Sequence, residues 1–340
     1  MKRIAKLILS LIMTIFLMSC QTNQSKVYVF IYDMNDPFIS ALSDHITTIG
    51  ENYYPIQTHD AKNSQIIQNE EIERVLELKP KLLIINPVDR LGAYPIIRKA
   101  KSMDIPIIFI NREPLEVDLD LYDQAYYVGA KAEQSGILQA EIVSDLFGNQ
   151  PSNLNKYDLN DDGIIQTLIF KGEQGHQDAE LRTEFIISTL TDDNFQIEIL
   201  KTNVSNWNQD IAYRDALDLL PQYQDQFELI ISNNDAMAIG VIRAMIELSM
   251  FVDTNSDGYV DKENEPWYPV IGIDGIDEAV EWIQTGHLYA TVLNDASNQA
   301  YATIALARVI LEGIDPETVD IEIVDDHYVW VDYRKYSLAT

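Results

Sequence analysis

Residues 27–49 read VYVFIYDMNDPFISALSDHITTI. Val27 to Tyr32 is an unbroken apolar and aromatic run, the pattern of a strand covered on both faces rather than one with a wet side. A polar turn leads to Asp36, and from Phe38 to Ile49 the apolar residues fall at helical spacing. A buried strand followed at once by an amphipathic helix is the repeating step of a parallel sheet with helices on its faces. The step recurs down the chain. Further strands are expected at Leu82–Asn86, Ile105–Ile110, Tyr126–Val128, Ile165–Phe170, Gln196–Leu200, Leu229–Ser232, Val270–Ile273 and Ala290–Leu293. Helical spacing fits Ile66–Leu78, Ala132–Phe147, Ala179–Leu190 and Ala236–Leu248. No internal repeat stands out. The reading is α/β, and 340 residues suit two domains.

Polar or aromatic residues stand directly after successive strands: Asp36 and Phe38, Asn111, His176 with Asp178 and Arg182, Trp207, Asn234, Asp274, and Asn294. Open α/β sheets bind ligands beyond the carboxyl ends of their strands. Any one Asp or Asn there is more simply a helix cap or turn former. Recurrence after so many strands, together with Trp, Phe, Arg and His, points to one shared cleft.

A hexose has hydroxyls around its edge and C–H patches on its two faces. Asp36, Asp178 and Asp274 can accept hydroxyl protons, Arg182 and the Asn residues complete the pairing, and Phe38 and Trp207 can cover opposite faces. An isolated Phe or Trp is more often core than ligand plate, but these two sit between polar neighbours at strand ends.

The N-terminus says where the protein works. Lys2, Arg3 and Lys6 precede an apolar stretch from Leu7 to Met18, followed by Ser19 and Cys20. That stretch is shorter than the roughly 20 residues of a spanning helix and reads as a signal peptide, 1–19, with a lipoprotein ending. Cys20 is the only cysteine, which rules out an intramolecular disulfide and suits a thiol that carries lipid. Residues 20–25 form a short tether. Removing 1–19 takes away three basic residues and no acidic one, so the formal charge moves from −30 to −33. A chain this acidic repels nucleic acid and anionic lipid.

Several long segments, rich in uncommon polar residues, resemble the bacterial periplasmic glucose/galactose-binding proteins of the type I periplasmic-binding-protein fold. They are Asp36–Phe38, Phe109–Pro114, Tyr122–Gly129, Lys171–Glu180, Asn233–Ala238 and Thr291–Ala296. The resemblance implies two doubly wound parallel-sheet lobes joined by a three-crossing hinge: 26–128 with 296–324, and 129–295 with 325–340. It implies that Phe38 and Trp207 sandwich a pyranose while Asp36, Asn111, His176, Asp178, Arg182, Asn234, Asp274 and Asn294 bond its oxygens. The family's counterpart of Asp36 tolerates both epimers at O4, so glucose and galactose are both expected ligands. Pro37 and Arg112 depart from the family's common Asn and Lys, and are expected only to shift the cleft rim.

Two acidic loops carry EF-hand spacing. In Asp158-Leu159-Asn160-Asp161-Asp162-Gly163-Ile164-Ile165-Gln166, oxygens stand at positions 1, 3, 5 and 9 with Gly at 6, but the bidentate Glu is missing. The resemblance supplies it from Glu228, with the carbonyl of Ile164, giving a structural Ca²⁺ site. The second loop, 253–264, is an insertion relative to the family, with Asp253, Asn255, Asp257, Tyr259, Asp261 and Asn264 as candidate ligands and Glu263 and Glu265 flanking the last position.

The expected function is a monomeric, lipid-anchored extracytoplasmic subunit that presents glucose or galactose to an ABC-type permease. A sensory subunit using the same binding event is the alternative. A glycosidase is disfavoured because bonding a free sugar on all sides leaves no room for an aglycone or attacking water. A repressor of this fold would need an N-terminal helix-turn-helix and a basic surface, and the signal peptide and acidic charge argue against it.

Overall fold

The computed structural model describes residues 26–338, so the signal peptide, Cys20 and the tether lie outside the described residues. The strands are β1 Val27–Ile31, β2 Ile56–Asp60, β3 Leu82–Ile85, β4 Ile107–Ile110, β5 Ala125–Gly129, β6 Ile164–Lys171, β7 Gln196–Val204, β8 Leu229–Ser232, β9 Val270–Asp274, β10 Ala290–Leu293, β11 Tyr328–Trp330 and β12 Arg334–Ser337. They form two sheets, ordered β11-β5-β4-β3-β1-β2 and β12-β10-β9-β8-β6-β7. All pairs are parallel except β12 with β10.

Each sheet is sandwiched between two apolar clusters, which is why β1, β3, β4 and β8 are buried along their whole length. Burying a Val, Ile or Phe side chain contributes about 1.5–3 kcal/mol, so a charge at Val29 would disrupt the core on one face of the first sheet and a charge at Phe30 the core on the other.

The chain passes to the second sheet after β5, returns to pack helix Ala296–Glu312 on helix Pro37–Gly50, and passes again between β11 and β12. The last passage therefore falls beyond Trp330, not near Asp325. Tyr328–Trp330 pairs in parallel with Tyr127–Gly129, and the ladder keeps this segment in the first lobe. Three strands were not anticipated from the sequence: β2, a partly exposed edge strand with polar Gln57, Thr58, His59 and Asp60, and the short β11 and β12.

Candidate functional site

The residues expected at strand ends converge. Asp36, Phe38, Asn111, His176, Asp178, Arg182, Trp207, Asn234 and Asp274 line one chamber between the lobes. Asn294 sits one step back. It is buried, its Oδ1 accepts from Gln299 Nε2, its backbone N–H donates to Asp274 O at 3.0 Å, and it faces a neighbouring groove. The chamber wall also includes Tyr32, Ile39 and Arg112, which the sequence reading did not assign to the site.

Several of these residues are helix caps as well. Asp36 Oδ1 accepts from the amides of Phe38 (3.0 Å) and Ile39 (3.2 Å), while Oδ2 accepts from the Tyr32 hydroxyl at 2.6 Å. Asn234 Oδ1 caps the helix Asp235–Glu247 through Met237 N at 2.9 Å. His176 Nδ1 accepts from Asp178 N at 3.2 Å, so its proton resides on Nε2, and burial lowers its pKa to about 4. Capping fixes each side chain in place, and Asn234 Nδ2 donates in addition to Trp207 O at 3.3 Å.

Arg182 is the hub of the second-lobe wall. It is buried, its Nη1 donates to Asn233 O (2.6 Å), and its Nη2 donates to Asp178 Oδ2 (3.3 Å) and to Tyr333 Oη (3.0 Å). Asp274 Oδ1 lies 3.8 Å from Nη1. Burial holds the Asp274 carboxyl well above its usual range, while Arg182 pulls it down. Arg182 Nε and Trp207 Nε1 are buried donors with no partner among the described residues. Such donors are costly unless a ligand satisfies them.

The two aromatic plates come from opposite lobes. Trp207 lies over Gly172, where a Cβ would stand 2.3 Å from the indole, so glycine is required beneath the ring. Phe38 belongs both to the chamber and to the first-lobe core. The backbone is strained at three site residues, Asn111 (φ +60°), Trp207 (φ +64°) and Asp274 (φ +123°), as expected where a site rather than propensity dictates conformation. On the first-lobe side, the Arg112 guanidinium stacks 3.7 Å from the Tyr32 ring. The sequence marked Arg112 only as a rim residue beside Asn111.

In the first acidic loop, Asp158 Oδ2 accepts from Gly163 N (3.0 Å), Asp162 Oδ1 from Ile164 N (2.8 Å), Asn160 Oδ1 from Asp162 N (2.9 Å) and Glu228 Oε1 from Leu159 N (2.5 Å). Glu228 Oε2 and Gln166 Oε1 are buried and unpartnered. Burial raises the Glu228 carboxyl to about 7, with Asp158 and Asp162 adding to the rise. Hard oxygen donors left unsatisfied in a negatively charged pocket fit a cation such as Ca²⁺. Among the described residues, no three His, Cys, Asp or Glu side chains form a cluster by themselves, so amide and carbonyl oxygens would have to complete the shell.

The second loop is exposed, and its oxygens are taken up internally. Asp253 accepts from Ser256, Asp257 and Gly258 amides, Asn255 from Asp257 N, and Asp257 from Tyr259 N. Asn264 Nδ2 donates to Asp261, and the carboxylate that folds back onto the loop's start is Glu265, bonded to Thr254.

A model for a periplasmic binding protein domain matches residues 27–315. The chain belongs to the periplasmic binding protein family. The D-galactose/methyl-galactoside binding periplasmic protein of Haemophilus influenzae is 34% identical over 85% of this chain and 82% of its own. The ribose import binding protein of Salmonella typhimurium is 20% identical over 95% and 98%. Among solved structures, an ABC transporter solute binding protein of Bacillus halodurans with bound myo-inositol superposes at a TM-score of 0.74. Its identity is 24%, with 92% of this chain and 94% of that one covered. The fold is thus the type I fold, and members of the family are extracytoplasmic solute-binding proteins, not enzymes.

In this periplasmic binding protein the lobes touch across the cleft. Gln177 Nε2, from the second lobe, donates to Glu113 Oε2 of the first at 3.0 Å, and Ile276 packs against the cores of both. Tyr333, which bonds Arg182, lies on the last passage between the sheets, so the chamber wall is tied to the hinge. Among the described residues no helix is long and apolar enough to cross a membrane.

Proposed function

We propose that this binding protein captures D-glucose and D-galactose between its lobes and delivers them to an ABC-type permease, tethered to the membrane by lipid on Cys20 and acting as a monomer. The observation that carries the reading is the chamber itself. Trp207 and Phe38 line it from opposite lobes together with Asp36, Asp178, Arg182 and Asp274, and Arg182 Nε and Trp207 Nε1 are buried donors without a partner among the described residues. Apolar plates with charged hydrogen-bonding groups around them match a pyranose. The 34% identity to a galactose-binding relative supports the same class of ligand.

The test is a titration of the indole fluorescence with D-glucose and with D-galactose. Saturable change that disappears in Trp207→Phe supports the reading, and no change with either hexose contradicts it. Release of the protein into the medium by Cys20→Ser is the expected result for the anchor.

A structural Ca²⁺ held by Asp158, Asn160, Asp162, Gln166, Glu228 and the Ile164 carbonyl is part of the proposal. It is supported by the two unpartnered buried oxygens of Gln166 and Glu228. The ion would neutralise the loop and tie it to the start of β8.

A further inference from the structure

Behind the chamber wall lies a carboxylate that the sugar-binding reading does not use. Asp235, at the first turn of helix Asp235–Glu247, is fully buried. Its Oδ2 accepts from Gly275 N at 2.6 Å and Ile276 N at 3.2 Å, and its Oδ1 accepts from the Thr291 hydroxyl at 2.7 Å. An acid in a first turn is ordinarily explained by helix capping or the helix dipole. Here Asn234 already caps the helix, and the Asp235 carboxylate is directed away to a different strand and its loop. The sequence makes room for it. A Cβ on Gly272 would stand 2.0 Å from Asp235 Oδ1, so glycine in β9 is what lets the carboxylate reach across. Burial raises the carboxyl to about 7, and the Thr291 hydroxyl and the two amides pull it back down.

The two amides that Asp235 holds are those of the residues immediately following Asp274. Asp274 has φ +123°, a conformation that L residues rarely adopt unless their surroundings enforce it. Its own carbonyl accepts from Asn294 N at 3.0 Å, and its carboxylate lies 3.8 Å from Arg182 Nη1. We infer that Asp235 is a positioning residue for sugar binding: by clamping the Gly275 and Ile276 amides, it holds Asp274 in the strained conformation that directs its carboxylate to Arg182 and the chamber. The same clamp seats Ile276 against the first-lobe core, so one buried carboxylate links ligand contact to lobe contact.

The inference rests on Asp274 being a sugar ligand, and a double-mutant cycle separates the two claims. Sugar Kd is measured by calorimetry for wild type, Asp235→Ala, Asp274→Ala and the double variant. Asp274→Ala alone should weaken binding at least about tenfold, and Asp235→Ala should do the same in the wild-type background but cost less than about twofold once Asp274 is gone. Asp235→Asn should recover most of the loss, because its amide oxygen can still accept from both N–H groups while its NH₂ donates to the Thr291 oxygen. Asp235→Ser replaces the alanine variant in the same cycle if the latter does not fold. Unchanged binding in Asp274→Ala would overturn the ligand assignment. A loss there, with Asp235→Ala costing the same in both backgrounds or nothing in either, would overturn the positioning role alone.

Discussion

Trp207 is the residue whose loss separates binding from folding most cleanly. It is half-buried, it rests on Gly172, and its Nε1 is a buried donor with no partner among the described residues. Trp207→Ala should raise the sugar Kd roughly thirtyfold, about 2 kcal/mol, with a much smaller effect on melting temperature than Phe38→Ala, whose ring also fills the first-lobe core. Equal binding by calorimetry in wild type and Trp207→Ala would remove the indole from the site. His176 makes a prediction about pH. Its pKa is about 4 when folded, below the ordinary His value, so the unfolded chain binds more protons as pH falls through 6.5 toward 4. Stability linked to His176 is therefore present at neutral pH and lost on acidification, by on the order of 2 kcal/mol at pH 5. Melting curves at pH 7 and pH 5 should show a larger drop in wild type than in His176→Gln.

The elements carry both the legible and the illegible parts of the sequence. Val27–Ile31, Leu229–Ser232 and Ala290–Leu293 announced themselves because parallel strands covered on both faces are continuous apolar runs. Ile56–Asp60 did not, since an edge strand with polar side chains carries no such run. Tyr328–Trp330 is too short to signal a strand, and its lobe is decided by pairing with β5, a partner about two hundred residues away in sequence. The strand-end residues were readable as a group, but Tyr32 and Arg112 were hidden by a plain reading as strand end and rim, and only their stacking exposes their part in the chamber. At this scale the first acidic loop makes its own prediction. Ligand bound only to the native state adds RT ln(1 + [L]/Kd), about 2.7 kcal/mol at a hundredfold excess over Kd, so a chelator should lower the melting temperature by on the order of 5–10 °C, reversibly with Ca²⁺. Glu228→Gln should melt lower and respond less to chelator. A Glu228→Gln protein that matches wild type in both respects would exclude Glu228 from the shell.

At the scale of the molecule, neither lobe can surround a ligand alone. Asp36, Phe38 and Asn111 belong to the first, while His176, Asp178, Arg182, Trp207, Asn234 and Asp274 belong to the second. A sugar that bonds both walls stabilises the closed arrangement, the one in which Gln177 meets Glu113, by its differential affinity for that state. Small-angle scattering should then give a smaller radius of gyration with saturating sugar, and Asp178→Ala should require more sugar for the same change. Identical profiles with and without sugar would mean that a permease reads something other than closure. The identity of the ligand is measured directly by calorimetric titration of the purified protein with D-glucose, D-galactose, D-allose, D-ribose and myo-inositol. One-to-one binding of D-glucose and D-galactose is expected at micromolar Kd or tighter, about −8 kcal/mol or more favourable, with weaker binding of the other three. Tight binding of D-ribose or myo-inositol with no heat from either hexose would contradict it.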